Sequence, residues 1–315
     1  MLPLTTYLKH NSRMNRRSFL KNSAAVLVGT ALAPSVSRAA KADPAFTLNY
    51  APHFGMFKHS APGGLADELQ FAHDHGFRAW EDNRMGSREL AEQKAVAAKM
   101  EKLGMRMGVV SAKTGIGELN FASKDKKARD RVLQQIKETV EVCRRVNAGF
   151  MTLVSGQVDP RWPREIQFAN CIELLRRASE IVEPHNITMV MEPLNRFRNH
   201  PGSFLQTVTE GYLICKGVDH PNCKVLYDMC HQQIAGGNLI PLFDLCRDQI
   251  GYLQVGDNPG RKEPGTGEIN YAKVFQHVHD SRFDGIVGME HGNSMKGAEG
   301  ERAVVEAYRR VDPKR

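Results

Sequence analysis

Four polar side chains stand at the ends of successive apolar runs in the C-terminal half of the chain. Glu192 closes ITMVME (187–192), Asp228 lies near the end of CKVLYDM (223–229), Gln254 falls within IGYLQVG (250–256) and Glu290 closes DGIVGME (284–290). One acid in such a place is ordinarily a surface or capping residue. Four in register predict side chains that meet. Three carboxylates brought together without a cation repel strongly, and a bound divalent cation removes the repulsion. Three carboxylates and an amide oxygen suit a hard ion, Mg2+ or Mn2+, better than zinc. His231, three residues after Asp228, is then expected to orient a substrate beside the metal. Arg261, in Pro259-Gly260-Arg261, is expected to clamp a substrate carboxylate or hydroxyl. His53 and Glu81, at the ends of the first two strand-like runs, are weaker substrate-binding candidates. No GxSxG elbow, GxGxxG or GxxxxGK[ST] loop appears, and no lysine closes a clear strand. These absences weigh against a serine hydrolase, a dinucleotide or P-loop enzyme and a Schiff-base aldolase.

Those side chains need elements that deliver them to one place. From residue 46 a β-rich run followed by an amphipathic helical stretch recurs eight times. Strands are expected near 47–51, 77–82, 105–111, 149–155, 187–192, 223–229, 250–256 and 284–290. Helices are expected near 64–75, 87–103, 125–146, 164–184, 203–217, 239–248, 270–281 and 299–310. Val132, Ile136, Val140, Cys143 and Val146 fall near one helical face, which is the 3.6-residue period. Gly76, Gly104 and Gly149 are expected to cap helices before the next strand. Strand–helix alternation implies parallel strands, because each crossover helix returns the chain to the same end. Eight such units within about 265 residues predict an α/β fold, a single (β/α)8 TIM barrel spanning 43–315. Its active site would lie at the C-terminal ends of the strands. An open doubly wound sheet is the alternative, and it would want the Gly-rich phosphate turn that is missing.

The net charge of +8 has a local origin. Residues 1–42 hold seven of the 43 basic residues and none of the 35 acidic ones, so the remainder is close to neutral. That excludes a basic nucleic-acid-binding face. The segment reads as an export signal: Asn15-Arg16-Arg17-Ser18-Phe19-Leu20-Lys21 resembles a twin-arginine motif, and an apolar run 24–33 follows. Small-x-small sites then place cleavage after Ala39 or Ala42. The apolar run is about half of the ~20 residues a bilayer span requires. The expected partner of this segment is the twin-arginine export machinery, and the expected location is periplasmic or extracellular. The six cysteines show no CxxC spacing, and a folded export substrate need not pair them.

At the polar strand ends the sequence resembles the hydroxypyruvate isomerase family, among the xylose-isomerase-like TIM barrels, with ketose 3-epimerases as relatives. The resemblance is carried by Glu192-Pro193-Leu194-Asn195, by Leu253-Gln254-Val255-Gly256-Asp257 with Pro259-Gly260-Arg261, and by the specific run Glu263-Pro264-Gly265-Thr266-Gly267-Glu268-Ile269-Asn270-Tyr271. It implies a metal held by Glu192, Asp228, Gln254 and Glu290, with Glu192 and Glu290 also the acid/base pair. It places His231 and Arg261 against the substrate, a small sugar or keto acid, and implies a homo-oligomer. The expected reaction is aldose–ketose isomerisation through an enediolate. The same residues would serve a ketose 3-epimerase or a keto-sugar lyase, and a non-catalytic sugar-binding barrel is the reading from a different class.

Overall fold

A computed structural model describes residues 43–314. The expected export segment lies outside them. Eight strands succeed one another: β1 (Asn49–Ala51), β2 (Ala79–Trp80), β3 (Arg106–Ser111), β4 (Ala148–Val154), β5 (Thr188–Glu192), β6 (Cys223–Asp228), β7 (Ile250–Gln254) and β8 (Ile286–Gly288). All ladders are parallel, in the spatial order β1-β8-β7-β6-β5-β4-β3-β2. Between β1 and β2 no ladder forms, and the parallel bridge His53–Glu81 joins them just beyond their ends. The result is a nearly closed (β/α)8 barrel, as the alternation predicts.

The helices are α1 (Leu65–Asp74), α2 (Leu90–Leu103), α3 (Lys126–Val146), α4 (Arg164–Val182), α5 (Val208–Val218), α6 (Met229–Ala235), α7 (Leu239–Cys246), α8 (Tyr271–Asp280) and α9 (Gly297–Val311). Several of their ends have a local cause. Asp125 caps α3 by accepting from Ala128 N at 2.8 Å, and Thr207 with Glu210 forms a reciprocal capping box on α5. Gly104 ends α2 in the left-handed conformation, as expected. At the end of α3 the expectation fails: Asn147 takes the left-handed position at φ 54°, and Gly149 is already inside β4. Asparagine tolerates that region because its short polar side chain costs little there. Val132, Ile136, Val140, Cys143 and Val146 are all buried, which confirms the helical period.

Two apolar regions hold the barrel. The larger lies between strands and helices. The smaller fills the barrel itself with Ala51, Ala79, Val109, Val190, Leu226, Tyr252 and Ile286. With its base plugged by side chains, the barrel offers polar groups room only at the ends where the strands leave for their helices.

Candidate active site

Glu192 ends β5, Asp228 ends β6, Gln254 ends β7, and Glu290 follows β8 by two residues. The parallel register sets Asp228 directly beside Gln254, and Gln254 beside Gly288. The four positions read from the sequence therefore share one mouth. Glu192, Asp228 and Gln254 are buried, and Glu290 is partly exposed.

The run after β6 differs from expectation in a useful way. The strand does not extend to 229. Asp228 is the N-cap of α6, accepting from His231 N at 3.0 Å through Oδ1, which leaves Oδ2 for the mouth. This tight turn carries His231 back over the strand ends. Its Nε2 lies 3.7 Å from Glu192 and 3.9 Å from Asp228. Donor atoms of Glu192, Asp228 and His231 all fall within 4.8 Å of one another, so His231 stands with the possible metal ligands, where the sequence suggested only a substrate contact. Asn195 fixes the ring: its backbone N and its Nδ2 lie 3.2 and 2.6 Å from His231 Nδ1. Burial holds the His231 imidazole down at about 4, so it is neutral at pH 7.

Arg261 enters from the loop after β7. Its Nη2 donates to Asp228 Oδ2 at 2.6 Å and to Glu290 Oε2 at 2.5 Å, its Nη1 lies 2.9 Å from His231 Nε2, and its Nε donates to the Glu290 carbonyl at 2.8 Å. Its backbone is left-handed at φ 51°, which costs a residue with a Cβ roughly 1–2 kcal/mol. The surrounding loop offsets this, because Arg261 N donates to Asp257 O and Gly292 N donates to Arg261 O.

The charge states follow from burial and crowding. Burial, then the Glu290 and Asp228 carboxylates, push Glu192 well above the usual carboxylate range. Burial raises Glu290 too, against the pull of Arg261. Asp228 goes the other way: burial alone would raise it, but the Arg261 guanidinium and the backbone N–H groups of His231 and Cys230 hold it down. One ionised acid beside two that gain protons easily is an arrangement suited to proton transfer.

Glu81 sits under the mouth, accepting from Tyr252 Oη at 2.9 Å and from Gln254 Nε2 at 3.5 Å. His53 Nε2 lies 3.0 Å from the His291 carbonyl. His53, Glu81 and Glu290 line a cavity of about 370 Å3 together with Asn83, whose Nδ2 donates to Glu290 Oε1 at 3.0 Å. All eight residues expected from the sequence thus lie at or beside the mouth. Asn83, Asn195 and Tyr252 were not anticipated. Their link to the site runs through strand register and loop return, which spacing does not reveal.

The run Glu263–Tyr271 supplies scaffold. Glu263 accepts from Ser294 N, Asn270 caps α8, and Tyr271 Oη donates to Gly256 O at 2.9 Å. At Gly267 a Cβ would lie 2.3 Å from Asn258 O, so the tight approach needs glycine. This run shapes the loop that presents Arg261.

A family model described as "Xylose isomerase-like TIM barrel" matches residues 69–311. The chain belongs to this family. Among its relatives, hydroxypyruvate isomerase of Escherichia coli (strain K12) is 35% identical over 136 residues, covering 43% of this chain and 52% of that one. This match therefore spans about half the relative's length. The 2-oxo-tetronate isomerase of Pectobacterium atrosepticum is 25% identical over 208 residues, 65% of this chain and 79% of that one. Among solved structures, the AP endonuclease, family 2, of Brucella melitensis superposes with a TM-score of 0.69 at 24% identity, covering 80% of this chain and 96% of that chain. That likeness is one of fold.

The donor set fits a divalent cation. Buried carboxylates face one another, and the buried Oε1 of Gln254 has no hydrogen-bond partner among the described residues. A buried carbonyl oxygen left without a donor is costly unless a cation or water meets it.

Proposed function

We propose that this chain is a divalent-metal-dependent isomerase of a small hydroxy-carbonyl compound, a sugar or keto acid, with hydroxypyruvate isomerase-like chemistry. One observation carries the reading: donor atoms of Glu192, Asp228 and His231 lie within 4.8 Å of one another at the mouth that Gln254 and Glu290 also reach, and the buried Gln254 amide oxygen has no partner among the described residues. The isomerase names of the relatives support the reaction class.

Glu192, Asp228 and Gln254, with Glu290 and His231 beside them, would hold the cation. When bound, it supplies Lewis acidity that makes the C–H next to the substrate carbonyl more acidic. The proton work falls to Glu192 and Glu290. Burial raises both from the ordinary carboxylate range, which makes each a better acceptor for the substrate's proton. One removes the proton, and it or its counterpart returns it. Return to the neighbouring carbon, with the hydroxyl proton passing to the former carbonyl oxygen, gives the isomer, and return to the opposite face of the same carbon gives an epimer. Arg261 and His231 orient the substrate's oxygens, and Arg261 steadies negative charge as it develops.

The test is exchange of the substrate's α-proton with heavy water, read over a panel of ketoses, hydroxypyruvate and 3-keto-glycosides. Wild type loaded with Mn2+ is expected to exchange at least one of them. Glu290→Gln is expected to lower that rate by about 10²–10⁴-fold. Undiminished exchange in Glu290→Gln would remove its assigned role.

The Arg16-Arg17 segment supports export by the twin-arginine route, with residues 43–315 as the working part in the periplasm or outside the cell. Replacing both arginines by lysine should keep the protein in the cytoplasmic fraction. Normal secretion of that variant would count against the route.

A further inference from the structure

An amide side chain at a metal site has two faces of similar shape and opposite polarity, and only one of them can bind a cation. Gln254 is buried at the end of β7, so water cannot choose the face for it. Its Nε2 donates to Glu81 Oε1, and Oε1 has no partner among the described residues. The reverse orientation would set the amide oxygen against a carboxylate oxygen. Glu81 is held in turn by Tyr252, whose hydroxyl donates to Oε2 at 2.9 Å. The barrel makes room for this pair. A Cβ on Gly288 would lie 2.0 Å from Glu81 Oε2, and one on Gly108 would lie 2.3 Å from Tyr252 Oη. Two strands therefore present glycine where any side chain would evict the carboxylate or the phenol. Glu81 is itself 1% exposed, and the hydrogen bonds it accepts occupy both of its oxygens.

We propose that Glu81 is a positioning residue: braced by Tyr252 in a cradle formed by Gly108 and Gly288, it orients the Gln254 amide so that the oxygen is left free for the cation. This rests on the metal-dependent reading above and adds the device that sets the donor face. It assigns Glu81 a role through Gln254, where the sequence suggested contact with substrate.

The experiment is Mn2+ binding to the folded protein by titration calorimetry, with folding checked by thermal unfolding. Glu81→Leu removes the acceptor and should weaken Mn2+ about 10–100-fold, the usual cost of losing a partner that orients a ligand. Glu81→Gln still offers an oxygen to Gln254 and an N–H to the Tyr252 hydroxyl, so it should leave affinity within about twofold. In a Gln254→Leu background, Glu81→Leu should cause no further loss. Tyr252→Phe, which removes a single hydroxyl, should weaken binding in the same direction and stands in if Glu81→Leu does not fold. No Mn2+ uptake by wild type would overturn the metal reading and this assignment together. Uptake with wild-type affinity in Glu81→Leu or in Tyr252→Phe would overturn the assignment alone. So would a loss in Glu81→Gln equal to that in Glu81→Leu, or a further loss in the Gln254→Leu background.

Discussion

The barrel holds two kinds of carboxylate, and they are handled in opposite ways. Around the loops, acids are saturated by backbone N–H groups. Asp257 accepts from Asn258, Ile269, Gly265 and Gly267, Glu68 from Gly55 and Phe57, and Glu301 from His59 and Ser60. At the mouth, Glu192, Asp228 and Glu290 face one another and share the single guanidinium of Arg261 or the edge of His231. The braced acids fix chain geometry. The crowded ones store unfavourable electrostatics that only a proton, a cation or a substrate relieves. Burial of an acid is thus no sign of function by itself; what its oxygens meet decides it.

The sharpest way to break this contrast is Glu192→Gln. Removing a crowded acid should lower substrate proton exchange by about 10²–10⁴-fold, while the chelated protein holds or gains stability. At pH 8 a gain of ~1 kcal/mol would raise Tm by roughly 2–4 °C. A variant that loses activity only because it unfolds would show that Glu192 belongs with the braced class.

Asp257→Ala is the counterpart in the braced class. Four backbone donors lose their acceptor, and the loop that presents Arg261 loses its centre. Each buried donor left unpaired costs about 1–3 kcal/mol, and partial access of water brings the expected total to roughly 3–5 kcal/mol. Denaturant unfolding reads this directly. Mn2+ affinity should fall less than in Glu192→Gln, since no donor atom is removed. Unchanged stability would mean that the Glu263–Tyr271 run holds its shape without Asp257.

How much of this was legible in the sequence follows the same division. The crowded acids could be found because each closes an apolar run, and a parallel barrel puts all strand ends in one place. The fold was legible for the same reason: period and alternation are local signals. The bracing was not. Asp257 reads as an ordinary loop acid until the turn returns three further amides to it. Tyr252 meets Glu81 only through the barrel interior, across strands far apart in sequence. His231 joins the ligand cluster because Asp228 starts a helix at once, where the apolar run suggested one more strand residue. Asn147 took the cap that glycine was expected to fill, because the helix register at its end, more than residue preference, chose the position.

The smallest effect contrasts a crowded acid with a buried base by its sign with pH. In the metal-free protein Glu192 is raised by burial and by its neighbours, so between the unfolded carboxylate range and its folded value the native state binds more protons than the unfolded one. Stability contributed there is present at low pH and is lost as pH rises, by at most about 1.4 kcal/mol per unit. His291 belongs to the packed region: its Nε2 meets Tyr308 Oη at 2.9 Å, its Nδ1 lies 3.1 Å from Gly292 O, and burial holds it down at about 3. Here the unfolded state binds more protons between about 3 and the ordinary histidine value of ~6.5, so the contribution is present above that value and is lost as pH falls. Measured as wild type minus variant under chelation, the stability difference for Glu192→Gln should therefore decline as pH rises above 5, and that for His291→Gln should decline as pH falls below 6.5. Two curves of the same sign would mean that burial does not disfavour the charged form of one of the two groups. Adding Mn2+ should change the Glu192 curve and leave the His291 curve alone, because only the crowded acid gains a counter-charge from the ion.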